Sequence, residues 1–143
     1  MSETVEIKVN LSSKTWGDRA PGTRVYVNDM LIFDQLIVDP VEVNWTGELD
    51  DGNHSIVVEM YNKKQGDTET DSDGNILNDV LLNIDNIAID NIDLDQLLWS
   101  KSIYYPADEY ASATIEQCVN LGWNGLWKLE FSSPVYLWFL ENL

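Results

Sequence analysis

A period of two, repeated in short segments, limits this chain more than any other feature. Val5, Ile7, Val9 and Leu11 alternate with Glu6, Lys8 and Asn10. Successive side chains of a strand point to opposite faces, so this pattern buries one face and wets the other. The same reading places strands at 23–28, at 30–38 and at 41–46, where Val41, Val43 and Trp45 alternate with Glu42, Asn44 and Thr46. Another strand turns Ile56, Val58 and Met60 inward. Residues 12–22 are polar and read as a loop. Asn28-Asp29 and Asp50-Asp51-Gly52-Asn53 are turn signals, and Pro40 ends the run before it. Residues 80–92 form a longer strand whose apolar register runs Leu82, Ile84 and then switches to Ile87, Ile89. A one-residue switch of face implies a bulge, expected near Asp85-Asn86. No convincing long helix competes. The expected fold is all-β, an antiparallel β-sandwich of jelly-roll-like kind.

The composition changes after Trp99: ten of the fifteen aromatic residues lie between Trp99 and Phe139. Residues 101–113 look irregular. Segments 114–121 and 126–131 flank Trp123-Asn124-Gly125, and Asn-Gly between alternating runs predicts a hairpin. Ser133-Pro134 has the pattern of an N-cap followed by Pro at the first helical position. Residues 135–142 are then a short terminal helix, with a last strand as the alternative. The 143 residues suit one compact unit. Its body is 1–98 with an acidic insertion at 62–79, and 99–143 is an aromatic-rich segment packed on the same domain.

Charge excludes several functions. Eight Lys plus Arg against 25 Asp plus Glu give a net charge of −17. Such a surface repels phosphate backbones and anionic lipid, so neither nucleic acid nor membrane is expected as a partner. No apolar stretch approaches the roughly 18 residues of a membrane span. Residues 1–10 lack the basic and apolar regions of a secretory signal. Cys118 is the only cysteine and His54 the only histidine, so no internal disulfide and no Cys-based zinc site is expected. The two are far apart in sequence and no Gly-x-Ser-x-Gly elbow exists, which argues against nucleophilic catalysis. The acids cluster in one polar insertion, not in separated apolar settings, which argues against a glycosidase. The chain is expected not to be an enzyme. Asn44-Trp45-Thr46 matches a glycosylation sequon, which without a secretory signal carries little meaning.

Two features remain as candidate sites. From Lys64 to Lys101 no other Lys or Arg occurs, while nine acids do: Asp67, Glu69, Asp71, Asp73, Asp79, Asp85, Asp90, Asp93 and Asp95. Glu69-x-Asp71-x-Asp73-Gly74-x-Ile76 has the alternating oxygens and turn glycine of a calcium loop, although Val80 stands where its bidentate Glu belongs. Asp71, Asp73 and Asp79 are the candidate metal ligands. Calcium is the metal that suits such hard oxygens. A solvated acidic turn is the alternative. The aromatic residues form the second feature, since Trp and Tyr offer a flat apolar face and a polar edge. Trp45, Trp127 and Phe131 fall on regular strand faces and read as core. Trp16, Tyr104, Tyr105 and Trp123 fall in expected loops or turns and are the candidates for ligand stacking.

Several segments carry a resemblance. Arg24-Val25-Tyr26-Val27-Asn28-Asp29, Gly52-Asn53-His54-Ser55-Ile56-Val57-Val58 and the stretch from Asp79 to Ile89 resemble the calcium-dependent, xylan-binding type of carbohydrate-binding module. That resemblance implies a β-sandwich that binds polysaccharide through calcium, with Asp79 as a calcium ligand. The chain departs from the family pattern at Asn62-Lys63, where the family has Asn-Asp, and at Val80-Leu81, where it has Arg and Asn. In the second half, Leu97-Leu98-Trp99, Tyr104-Tyr105-Pro106 and Cys118 through Gly125 resemble small structural proteins of marine T4-like tailed phages. That resemblance implies a non-catalytic decoration protein of the virion. It would be made in the host bacterial cytoplasm and would contact other virion proteins or copies of itself.

Two functions from different classes follow: a virion β-sandwich that adsorbs to glycans, and a free calcium-dependent carbohydrate-binding module, which would be extracellular. Calcium bound by the folded state alone raises the melting temperature by linkage. No shift at millimolar calcium favours the acidic-turn reading.

Overall fold

The computed structural model describes residues 1–107 and 114–142. The chain begins with β1 (Ser2–Lys14), β2 (Gly22–Val27), β3 (Met30–Leu36), β4 (Val41–Asp50) and β5 (Gly52–Tyr61). A 3-10 turn (Gln65–Asp67) and a small ribbon of β6 (Glu69–Thr70) and β7 (Ile76–Asn78) occupy the acidic insertion. Then come β8 (Leu81–Ile89), β9 (Ile92–Asp93), α1 (Gln96–Ser100) and β10 (Ser102–Pro106). The chain ends with β11 (Ile115–Glu116), β12 (Asn120–Leu121), β13 (Gly125–Ser133) and α2 (Val135–Asn142).

Two sheets pack face to face. The first has the order β12-β8-β1-β4, with β9 folded back on β8, and the second has the order β11-β10-β13-β5-β2-β3. All the pairings are antiparallel. The first sheet contributes Val5, Ile7, Val9, Leu11, Leu82, Ile84, Ile87 and Ile89 to the core. The second contributes Val25, Val27, Ile56, Val58, Met60, Trp127, Leu129 and Phe131 to the same cluster. The period of two thus does what it predicts in β1, β2, β5 and β13, each of which has one dry face, while the edge strand β3 buries none of its residues. The face switch in β8 is a bulge, because Asn10 pairs Asn86 and Leu11 pairs Ile84, leaving Asp85 as the extra residue. The Asn28-Asp29 turn joins Val27 to Met30, with Asn28 in the left-handed region at φ 54°. His54 bridges this turn to the next through Asn28 Nδ2 and the Asp50 carbonyl.

The structure differs from the sequence reading at four places. Residues 101–106 are not irregular: Ser102–Pro106 is a strand of the second sheet, while 108–113 lie outside the described residues. The loop expected at 12–22 is shorter, since β1 runs to Lys14 and Trp16 bridges Arg19. The Asn124-Gly125 hairpin does not form, because β12 pairs with β8 in one sheet and β13 with β5 and β10 in the other. The physical reason is that Asn124 and Gly125 are used otherwise. Asn124 exchanges hydrogen bonds of 2.9 Å with both the N–H and the carbonyl of Lys63. Gly125 lies so close to β10 that a Cβ would sit 2.5 Å from the Tyr105 carbonyl oxygen. The fourth difference is the cap of α2, which is a helix and not a strand. Ser133 does not cap it; Glu3 of β1 accepts from both the Ser133 hydroxyl and the Val135 N–H. A carboxylate at a helix N-terminus complements its dipole, so this contact ties the two chain ends together.

Trp127 is wholly buried at the centre of β13. Trp127→Ala is expected to cost about 3–5 kcal/mol. Gly125→Ala is expected to cost about 1–3 kcal/mol, because the backbone it would strike cannot give way. Urea denaturation checks both through a lowered midpoint at unchanged slope.

Candidate functional site

The first candidate site closes one end of the sandwich. β5 stops at Asn62, whose φ of 71° is a left-handed conformation that Asn tolerates. Lys63, the next residue, is directed inward and its side chain is only 1% exposed. Its Nζ donates to Asp79 Oδ1 at 2.6 Å and to the Gly122 carbonyl at 2.5 Å. The ammonium also lies 5.5 Å from the centre of the Trp123 ring. Asp79 Oδ1 accepts from the Thr68 hydroxyl at 2.7 Å and from the Val80 N–H at 2.8 Å. Alongside, Arg19 forks onto Asp67, with Nε to Oδ1 at 2.9 Å and Nη2 to Oδ2 at 3.0 Å. The same Nη2 reaches the Asn62 carbonyl, and Asp67 accepts from the Lys64 N–H. Two buried carboxylates thus each hold one of the chain's eight basic side chains.

These pairings decide the charge states. Burial pushes the Asp79 carboxyl up, but the bonds from Lys63, Thr68 and Val80 outweigh it and the net shift is downward. The Arg19 hydrogen bonds hold Asp67 below the usual carboxylate range. Tyr104 donates its hydroxyl to the Trp123 carbonyl, and burial pushes its pKa up to about 12.

The sequence-derived candidates separate. Asp79, Tyr104 and Trp123 meet at this end, and Trp16 joins through the turn that carries Arg19. Tyr104 is a correction: it lies in β10, 3% exposed, and points into the core, so it is not available for stacking. Trp16 is half-buried and packs against the core. Asp71 and Asp73 sit in the ribbon turn between β6 and β7. There the Asp71 carboxylate is folded onto its own loop, accepting from the Asp73 N–H, the Asn75 N–H and Asn75 Nδ2. Lys63 and Arg19 are the residues that the sequence reading missed as site residues. Their signal was scarcity, since a basic side chain beside an acidic insertion has a partner to find.

Tyr105 belongs to a second candidate site, the outer face of the second sheet. The register aligns Tyr105, Leu126, Glu59, Arg24 and Asp34 in one row across five strands. The next outward row holds Ile103, Lys128, Val57, Tyr26 and Leu31. The Arg24 guanidinium stacks 4.0 Å above the Tyr61 ring. It also bonds Asp34 at 3.2 Å and Glu59 at 3.4 Å. The Tyr61 hydroxyl donates to Asp34 at 2.6 Å and the Tyr26 hydroxyl to Glu59 at 3.1 Å. Tyr61 lies flat over Gly22, where a Cβ would come within 2.5 Å of the ring. Beside this network lies a shallow hollow of about 340 Å³, lined by Tyr26, Asn28, Asp29, Val57, Glu59 and Leu126. The face therefore offers fixed aromatic rings bordered by hydrogen-bonding groups.

Calcium, which the resemblance implies, does not suit the donors around Asp79. Asp79 Oδ1 is already in contact with an ammonium. Among the described residues no three His, Cys, Asp or Glu side chains form a group able to hold a metal ion.

The lowered pKa values of Asp67 and Asp79 fix a sign. Stability from these groups is present above the ordinary carboxylate range and is lost as pH falls through their lower folded values. Between those limits the unfolded chain takes up protons that the folded chain refuses. Wild type is expected to exceed Asp79→Asn in stability at neutral pH, with the gap closing below about pH 4. Urea midpoints across pH 2–7 (a range set by the ordinary carboxyl values) check this.

No family model matches the chain, and no curated protein matches it. Two solved structures share its fold. One is the selenomethionine form of vCBM60, described as linking two families of calcium-dependent carbohydrate-binding modules by circular permutation. It is 12% identical over 87% of this chain and 89% of its own, with a TM-score of 0.57. The other is vCBM60 in complex with galactobiose, 13% identical over 89% of this chain and 97% of its own, with a TM-score of 0.51. The chain therefore has the β-sandwich fold of these calcium-dependent carbohydrate-binding modules.

Proposed function

We propose that this domain is a non-catalytic carbohydrate-binding module that takes a neutral glycan on the outer face of its second sheet. The observation that carries the reading is the outer face on which neighbouring rows bring Tyr105 and Tyr26 beside the network of Tyr61, Arg24, Asp34 and Glu59. Sugar rings present C–H faces to aromatic rings and hydroxyls to the groups around them. This platform has both, and the bonds of Tyr26 to Glu59 and of Tyr61 to Asp34 fix those two rings before any ligand arrives, which lowers the ordering cost of binding. A net charge of −17 disfavours acidic polysaccharides. The fold shared with sugar-binding modules supports the same reading.

A role in a phage particle is the second reading. Exposed apolar side chains favour it: Met30, Leu31 and Leu36 on the edge strand β3, and Tyr136, Leu137 and Leu140 on α2. An unpaired apolar edge is a ready surface for assembly. Mass spectrometry of purified particles decides this reading, which fails if the chain is missing from them.

Affinity electrophoresis against a panel of neutral polysaccharides tests the sugar reading. Retardation by at least one is expected. Tyr26→Ala and Tyr105→Ala are each expected to weaken it by about fivefold, the worth of roughly 1 kcal/mol of stacking. Retention that survives both substitutions unchanged removes this face as the site.

A further inference from the structure

The solved neighbours are described as calcium-dependent, yet an ammonium fills the point where the loops of this chain converge. We propose that Lys63 is a built-in cation: its Nζ joins Asp79 to residues 122–123 as a bound divalent ion would, so this end of the domain is assembled without metal.

Three observations converge on this. The first is connectivity. One ammonium contacts Asp79 Oδ1 and, at residues 122–123, the Gly122 carbonyl and the Trp123 ring, so it joins the end of β5 to two other segments. An ammonium has three donors and no acceptor, which suits a cage of oxygens. The aromatic face at 5.5 Å adds attraction for a cation.

The second is burial. Lys63 is 1% exposed at its side chain and Asp79 10%. A charge so deeply placed persists only if paired, and removing one partner strands the other. The backbone is locked around the pair as well, since Asn124 holds both the N–H and the carbonyl of Lys63.

The third is exclusion. A calcium ion ligated by Asp79 would lie about 2.3–2.6 Å from its oxygen. Lys63 Nζ already sits 2.6 Å from Oδ1. The two cations cannot share that oxygen without strong repulsion, and the tethered one is always present. In a chain of net charge −17, a fixed positive charge at this point also relieves the crowding of carboxylates without any ligand.

This inference stands apart from the sugar reading, because it is read by thermal melting without any glycan. The full chain is melted in EGTA and in millimolar calcium, alongside Lys63→Met and Lys63→Asp. Wild type is expected to melt within about 1 °C in the two conditions. Lys63→Met is expected to melt about 10 °C lower in both, since it leaves Asp79 charged and unpaired. Its deficit is expected to shrink as the pH is lowered towards the range where Asp79 protonates. Lys63→Asp sets two carboxylates beside the Gly122 carbonyl and is expected to regain melting temperature with calcium. A wild-type melting temperature that rises in calcium and falls in EGTA overturns the proposal. So does a Lys63→Met variant that melts like wild type. If Lys63→Asp does not fold in either condition, the other two chains decide the matter.

Discussion

Each sheet has one apolar face that must be kept from water, and the rest of the molecule follows from pressing those two faces together. β13 is the element that makes this possible. It lies between β5 and β10 in the second sheet and carries Trp127, Leu129 and Phe131 into the core. Without it, β2, β3 and β5 would form a narrow ribbon that could not cover β1, β8 and β4. Trp127 and Phe131 thus stand in the middle of a sheet, and their bulk fills the gap between layers.

The acidic charge is handled by position. Period-two alternation sends most carboxylates outward, where water screens them. Among the described residues, Lys8, Arg19, Arg24, Lys63 and Lys128 are drawn into ion pairs, on Glu6, Asp67, Asp34 and Glu59, Asp79, and Glu130. Exposed pairs such as Lys8 with Glu6 contribute little. The two at the sandwich end differ, because Asp67 and Asp79 are buried and their partners reach them from other segments. They tie these loops to one another at the end of the sandwich. The Arg24 network does a comparable job on the outer face, where it holds the Tyr61 ring between the guanidinium and Gly22.

Much of this was legible along the chain. The strands around Val5, Val25, Val43 and Ile56 follow from alternation, and the Asp85 bulge follows from the switch between Ile84 and Ile87. The terminal helix was signalled by Ser133-Pro134, although its cap came from Glu3, 132 residues from Val135. Local rules failed where distant strands took over a segment. Asn124-Gly125 looks like a hairpin turn until β8 and β5 each claim one flank. Tyr104 looks like a loop residue until β13 pairs with it and turns its ring inward.

By itself the sequence determined the class of fold, because alternation and turn chemistry act over a few residues and need no partner. It determined the sign of the net charge. It also placed the acidic insertion and the aromatic-rich end. Only the tertiary structure decided what those segments do. Whether Asp79 faces a metal, water or an ammonium depends on which side chain is brought to it. Lys63 arrives from the end of another strand, through a left-handed turn at Asn62. Whether a tyrosine stacks or packs depends on strand register, which put Tyr105 outward and Tyr104 inward. Both outcomes are long-range pairings, and sequence periodicity carries no information about them.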